Sequence, residues 1–434
     1  MNDAKTQAHP ARRDFLKATG VAGVGLMTMA GTAAARADKS ANGKVNIGLV
    51  GCGGRGGGAL NDSLSINENV RVVALADVEP SKCQAAQTRL SRKYGMKIAV
   101  DEKSMYGGLD AYRELLDNKS VDLVLFATPP GFRPQHVADA VKAGKHVFAE
   151  KPSCVDPAGY RVCLAAHEMA EKNGTSIVTG TQYRRQTNYI AAVKKIREGA
   201  IGDIVSATTR YCSSGIWYRG RQDGMTDAQY QIRNWMHFIW LSGDQIAEQA
   251  VHNIDAMNWV MDSAPVTAYG SGGRFTRPDD SEMWDSVSID YEYPGNKLLS
   301  FMCRQIPGAR GDNSNVIRGT EGIAYIAAGS GGSRITDRQG TEVWKAKGSI
   351  SDAYRQEHKD LVDSIVAGKP IVELKQTAES SLTAVMGRMA AYTGQRVTWD
   401  FVTKSKLDLF PKDLTLDSAL PKPAHAVPGK TKLV

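Results

Sequence analysis

One stretch limits what this chain can fold into more than any other. Lys44-Val45-Asn46-Ile47-Gly48-Leu49-Val50 reads as a buried strand, rich in β-branched and apolar residues. It runs straight into Gly51-Cys52-Gly53-Gly54-Arg55-Gly56, a G-x-G-x-x-G turn. Such a string is weak by itself. Here a helix-forming segment follows, then a second strand over 70–76 that ends in Asp77. Asp77 lies 26 positions after Gly51, where a carboxylate grips the ribose hydroxyls of a bound dinucleotide. Gly51 permits the tight turn, Gly53 lets the backbone approach a pyrophosphate, and Gly56 lets the helix sit close to the strand. Gly54 and Arg55 belong to the same turn, where the helix N-terminus offers N–H groups to the phosphates. Asp77 argues for NAD, because it repels a ribose 2′-phosphate. Ser81 and Lys82 could receive one, so NADP stays open.

The pattern continues as alternating strands and helices. An apolar strand over 121–127 ends in Thr128-Pro129-Pro130, and a helix over 135–143 closes at Gly144. A strand over 146–149 leads to Glu150-Lys151-Pro152; a helix over 156–172 and a strand over 176–179 complete the unit. This alternation predicts a parallel sheet with ligands at the carboxyl ends of its strands, which is where Thr128, Pro129, Glu150 and Lys151 stand. The expected class is α/β: a Rossmann dinucleotide-binding domain over 43–182, followed by an α+β domain over 183–434 with a largely antiparallel open sheet. Strands are expected at 204–211, 266–270, 284–293 and 297–305, the last two joined by a Pro294-Gly295-Asn296 turn. Helices are expected at 186–198 and 352–367, the later one packing back on the first domain.

A chain of 434 residues, 42% of them hydrophobic, has length for two or three domains. The formal charge is +8, of which the first 37 residues hold +3 and the remainder +5. No basic run interleaved with aromatics appears, so nucleic-acid binding is not expected. The six Cys (52, 83, 154, 163, 212, 303) have neither CxxC nor metal-ligand spacing, and are expected to be mostly free, buried thiols without a metal site. Ala11-Arg12-Arg13-Asp14-Phe15-Leu16-Lys17 precedes an Ala/Gly/Val-rich stretch, and Ala35-Arg36-Ala37 supplies an A-x-A cleavage site. The paired arginines resemble a twin-arginine (Tat) signal, with Ala11 where Ser or Thr is usual. Its apolar stretch is too short and glycine-rich for a stable membrane span. Residues 1–37 are thus expected to engage the Tat machinery and be removed near Ala37, leaving a periplasmic protein. No free nucleotide pool exists there, so its cofactor should be held tightly and regenerated within its own cycle.

Residues 143–152, Ala-Gly-Lys-His-Val-Phe-Ala-Glu-Lys-Pro, preceded by Ala-Thr-Pro-Pro (127–130) and His136, resemble the Gfo/Idh/MocA oxidoreductase signature. The resemblance spans roughly 44 to 400. It implies that Lys151 lies beside the nicotinamide and the substrate hydroxyl, that His136 belongs to the cofactor side, and that the protein is a homo-oligomer, dimer or tetramer. The segment 243–261 reads as one amphipathic helix with Asp244 as N-cap and Ile246, Ala250, Val251, Ile254, Met257 and Val260 apolar. Glu248, His252 and Asp255 follow i, i+4, i+7 spacing on one face, so carboxylates one turn either side can orient an imidazole base. They match the family pattern except that Glu248 stands where its polyol dehydrogenases have Asp. Lys151 then orients the hydroxyl and steadies the developing alkoxide.

Tyr183, Arg184 and Arg185 follow the last Rossmann strand and are expected at the cleft. Trp217-Tyr218-Arg219 is the expected sugar platform, with Trp235, Trp240 and Trp259 in core packing. The expected function is oxidation of a carbohydrate or cyclitol hydroxyl with NAD(P). The alternatives are a redox-neutral glycosidase or epimerase that oxidises its substrate transiently, and a non-catalytic sugar or cofactor sensor.

Overall fold

The computed structural model describes residues 43–328 and 332–434, so the leader read at 1–37 lies outside the described residues. The first layer is a parallel sheet of six strands: β1 (Val45–Val50), β2 (Val70–Asp77), β3 (Met105–Gly107), β4 (Leu123–Phe126), β5 (His146–Ala149) and β6 (Ile177–Thr179). Their order is β3-β2-β1-β4-β5-β6, which reverses between β1 and β4 and opens the ligand crevice there. Helices α1 (Gly54–Ile66), α2 (Pro80–Tyr94), α3 (Ala111–Asp117), α4 (Arg133–Lys142) and α5 (Pro157–Asn173) connect them. Helices cover both faces, so β4 is buried at every residue and the apolar runs need no alternation.

Two glycines make the first turn. Gly51 has φ +93°, and its amide donates to the Ala76 carbonyl at 2.8 Å. A Cβ on Gly56 would stand 1.9 Å from the Gly51 carbonyl oxygen, so α1 can begin here only without one. Gly56→Ala must push the helix off the strand. It is expected to cost about 1–3 kcal/mol, the range for overpacking, read as a lower urea midpoint with unchanged m-value.

The second layer begins with α6 (Thr187–Arg197), β7 (Ile204–Ser213), α7 (Asp227–Arg233), α8 (Ile239–Ser242), α9 (Gln245–Glu248) and α10 (Val251–Met261). Strands β8 (Thr267–Gly273), β9 (Ser286–Tyr293), β10 (Lys297–Gln305), β11 (Asp312–Gly319), β12 (Gly322–Ala327), β13 (Ser333–Asp337) and β14 (Glu342–Ala346) follow. The chain ends through α11 (Ile350–Val366), α12 (Leu374–Thr393), β15 (Val397–Thr398) and α13 (Trp399–Lys404). The nine strands β7–β15 form one sheet, antiparallel except where β10 runs parallel to β7. Tyr293 pairs with Lys297, so Pro294-Gly295-Asn296 is a three-residue hairpin loop, in which Gly295 and Asn296 take positive φ (79° and 57°). Inward Val287, Ile289, Tyr291 and Tyr293 of β9 form part of the core, and Tyr291 donates to the Thr383 carbonyl of α12 at 3.0 Å.

The boundary expected at 182/183 is not a clean cut. Helix α11 packs on α1, and Ile371 and Glu373 exchange hydrogen bonds with Ile177, so late chain extends the first sheet. Helix α12, absent from the sequence expectation, is buried along nearly its whole length between the two sheets. No helix among the described residues is long and apolar enough to cross a membrane.

Candidate active site

At the crevice, a cavity of about 150 Å³ is lined by Gly51, Gly53, Asp77, Thr128, Pro129 and His136, with Trp235 of the second domain beside them. Whether a dinucleotide fits can be tested on the turn itself. A Cβ on Gly53 or Gly54 would meet nothing within 4 Å, so space stands open above them. The N-terminus of α1 has no side-chain cap and no acid in its first turn, which leaves its N–H groups free for an anion. The Asp77 carboxylate accepts from the amides of Cys52 (2.7 Å) and Glu79 (3.0 Å), which aim it along the cavity wall. Lys82 is held by Glu79 at 2.7 Å and lies 3.9 Å from Asp77. A cation already neutralised by two carboxylates is poorly placed to draw a 2′-phosphate, which favours NAD. The residues fit the dinucleotide.

The other expected cofactor contacts are more indirect. Arg55 Nε donates to Glu150 Oε1 at 2.5 Å, and its guanidinium lies 4.7 Å from the Tyr354 ring centre. Arg55 and Glu150 therefore bind each other and brace the turn. His136 is buried between the Tyr112 and Phe132 rings, with Nδ1 3.2 Å from Thr128 Oγ1. Burial, helped by Arg133 and Arg113, pushes its pKa down to about 3, so it is neutral. Arg133, which no motif marks, is 2% exposed and donates to the carbonyls of Thr128 and Pro152. It ties the two strand-end loops of the site together.

The helix expected across 243–261 is broken. Asp244 caps α9 as expected, donor and acceptor being the Gln245 amide and its own carboxylate, but α9 ends at Glu248 and α10 starts at Val251. Ala250 N–H reaches back to the Gln245 carbonyl, five residues away, so the ladder loses register. Lys151 Nζ then donates to the Glu248 main-chain carbonyl and lies 3.1 Å from Glu248 Oε1. Helix α10 is also buried on nearly every side rather than amphipathic, because α12, α6 and β7 all cover it.

The break redistributes the expected triad. Glu248 bonds Lys151 and the Gln249 side-chain amide; Asp255 accepts two bonds of 2.9 Å from Arg184 and one of 2.8 Å from Ser380. Among the described residues neither carboxylate bonds the imidazole, which corrects the expected orienting role. His252 instead packs 5.2 Å from the Tyr183 ring. Burial, helped by the positive fields of Lys151 and Arg55, holds its pKa well below the ordinary range, so the ring is neutral. Tyr183 is 3% exposed and accepts from Asn313 at 3.3 Å. Arg184 is committed to Asp255 and to the face of Trp259, and Arg185 to Asp360 and Glu373, so both arginines are structural here.

The segment expected as the sugar platform is held by its own neighbours. Trp217 meets Trp235 edge-on at 6.2 Å under the Arg219 guanidinium, and Tyr218 donates to Asp280 at 2.9 Å. These contacts lead to the dinucleotide cavity through Trp235. Trp235 packs against the Tyr230–Phe238–Trp240 cluster as expected and also lines that cavity. Residues missed near the catalytic face include Tyr211, which donates to Gln249 at 3.2 Å, and Tyr354, which accepts from Gln182 at 3.2 Å. Both sit on elements whose position only the fold reveals.

Behind Arg55, Glu357 of α11 is fully buried, and neither carboxylate oxygen has a partner among the described residues. Burial raises its pKa well above the usual carboxylate range, against the pull of Arg185 and Arg55. A carboxyl kept neutral in the fold favours folding below about pH 4.5, and that contribution is lost as pH rises toward the folded value. Glu357→Gln is expected to gain stability over the native chain as pH goes from 5 to 8, by up to about 1.4 kcal/mol per pH unit. Paired urea titrations at pH 5 and 8 check this.

The oxidoreductase-family model with an NAD-binding Rossmann fold matches residues 45–181, and the GFO/IDH/MocA C-terminal domain matches 189–325. The chain belongs to the Gfo/Idh/MocA family, and its first domain is an NAD-binding Rossmann domain. Among curated relatives, it is 26% identical over 223 residues to α-N-acetylgalactosaminidase of Shewanella oneidensis, covering 48% of this chain and 47% of that one. The chain thus spans about half the length of that relative. Aldose–aldose oxidoreductase of Caulobacter crescentus superposes with TM-score 0.63 at 21% identity, over 82% of this chain and 99% of the other. Levoglucosan dehydrogenase, solved with NADH, gives TM-score 0.65 at 17% identity over the same shares.

Proposed function

We propose that this protein uses tightly held NAD to oxidise a ring hydroxyl of a carbohydrate or cyclitol, and is exported folded by the Tat route as a homo-oligomer. The observation that carries the reading is the meeting of Lys151, Glu248 and neutral His252 at the carboxyl edge of the sheet, beside an uncapped dinucleotide turn. A bound nicotinamide supplies reversible hydride exchange with a carbinol carbon. Lys151 Nζ donates to the substrate hydroxyl oxygen and steadies negative charge there. His252 offers a free ring nitrogen to the hydroxyl proton. Glu248 holds Lys151 in place through both its carboxylate and its main-chain carbonyl. Structures carrying the names aldose–aldose oxidoreductase and levoglucosan dehydrogenase support a sugar hydroxyl as substrate.

A redox-neutral variant has its own support. The cations around His252 disfavour imidazolium, so a proton taken there returns readily, as transient oxidation requires. The α-N-acetylgalactosaminidase relative favours the same reading.

Protein purified without added nucleotide and then denatured should release NAD. Product analysis of that protein on free sugars and p-nitrophenyl glycosides separates net oxidation from bond cleavage. Neither released nor bindable NAD would sink the proposal. Because burial keeps His252 neutral, kcat/KM should show no falling limb at the ordinary histidine pKa of about 6.5. His252→Ala should lower kcat about 100-fold or more; full turnover would remove His252 as the base.

A further inference from the structure

We propose that Cys52 and Cys83 form a reversible disulfide site beneath the dinucleotide turn, with a low-molecular-weight disulfide as oxidant. Their sulfur atoms stand 3.6 Å apart, although 31 residues separate them in sequence. Closing to a bond of about 2.05 Å needs a movement near 1.5 Å, within reach of a local loop adjustment. Cys52 lies between Gly51 and Gly53, and Cys83 occupies the first turn of α2. Their outer partners are weak: Cys52 Sγ lies 3.5 Å from the Ala76 carbonyl and Cys83 Sγ 3.8 Å from the Tyr106 carbonyl. The pair is therefore held mainly by its own contact.

Both thiols are buried, but they sit under one helical turn whose neighbours Ser81, Gln84 and Ala85 are exposed. Local opening of that turn admits a small oxidant. The two sulfurs share one hydrogen bond, so whichever ionises is steadied by the other; Cys83, on the helical turn that opens, is reached first and attacks. The Cys83 thiolate cleaves the oxidant's S–S bond and forms a mixed disulfide, releasing one small thiol. Cys52 then displaces the second small thiol and closes the protein bond. Two protein thiols lose two protons and two electrons, and the two small thiols carry them.

The bond would act on the cofactor cradle. The Cys52 amide donates to Asp77 at 2.7 Å, and Gly53, the next residue, caps α1. Drawing Cys52 toward α2 moves both away from the dinucleotide. This coupling rests on the reading that NAD occupies the turn, and it is reciprocal, so bound NAD shifts the thiol–disulfide equilibrium toward the two free thiols.

The test uses full-length mature protein freed of nucleotide, incubated with oxidised glutathione, then alkylated and mapped by mass spectrometry. A Cys52–Cys83 cross-linked peptide with loss of about 2 Da is expected. NAD affinity, read by calorimetry, should fall at least about tenfold and return with dithiothreitol, while Cys83→Ser and Cys83→Ala keep reduced-protein affinity under both conditions. Free thiols, a stable glutathione adduct, or a cross-link that leaves NAD affinity unchanged overturns the proposal. So does an equal affinity loss in the Cys83 variants. Failure of the reduced protein to bind NAD overturns the cofactor reading and the coupling, while the mass map still decides the thiol site.

Discussion

Lys151→Met is expected to lower kcat by about 10²–10⁴-fold, the span attributed to losing a positioned proton-handling and charge-stabilising group. Methionine keeps the length and most of the packing of a side chain that is only 11% exposed, while removing the ammonium. NAD affinity should change by less than about threefold, since the pyrophosphate cradle at Gly53 and Gly54 contains no part of Lys151. The fold should also survive, at a cost in stability for leaving buried Glu248 without its cation, because Glu248 retains its bond from the Gln249 amide. Single-turnover rates with protein carrying its own NAD, alongside a binding titration, separate these outcomes. Native-like turnover would place the reacting hydroxyl away from Lys151 and remove the site as drawn.

The second large effect is structural. Asp255→Ala is expected to destabilise the protein by about 3 kcal/mol, because it leaves the Arg184 guanidinium, whose side chain is 14% exposed, without its carboxylate. Asp255 is 1% exposed and accepts three bonds, two from Arg184 and one from Ser380, linking α10 to the end of the first domain and to α12. Replacing both members together, Asp255→Leu with Arg184→Met, should recover much of the loss, since no buried charge then remains. Urea midpoints for the two single variants and the pair give the coupling energy. A loss of activity in Asp255→Ala with unchanged stability would instead point to the orienting role that its spacing from His252 suggests.

Much of the first domain was legible because its signals are local. Gly51, Gly53 and Gly56 are each required by one turn, and the apolar runs at 45–50, 123–126 and 146–149 need no partner to be recognised as buried strands. The hairpin at Gly295-Asn296 was readable for the same reason. Helix α12 was not: Ser, Thr, Ala and Gly dominate it, and a helix buried all round has no polar face to mark its period. Strand β11 opens with Asp-Asn-Ser-Asn, poor strand formers that pair only because β7 lies beside them.

The catalytic face divides along the same line. Spacing put Glu248 and His252 one turn apart, and the Gfo/Idh/MocA resemblance implied Lys151 beside them; the fold brings Lys151 against Glu248 across 97 residues. Which group bonds which was decided by tertiary structure alone. The interruption at Gln249–Ala250 turned the Glu248 carbonyl to Lys151, and Arg184, 71 residues from Asp255, took the carboxylate meant for the imidazole. A carboxylate one turn away offers one bond across a flexible side chain, whereas a buried guanidinium offers two parallel bonds and cannot stay unpaired. The stronger, obligatory pairing wins, and it is invisible until the chain has folded.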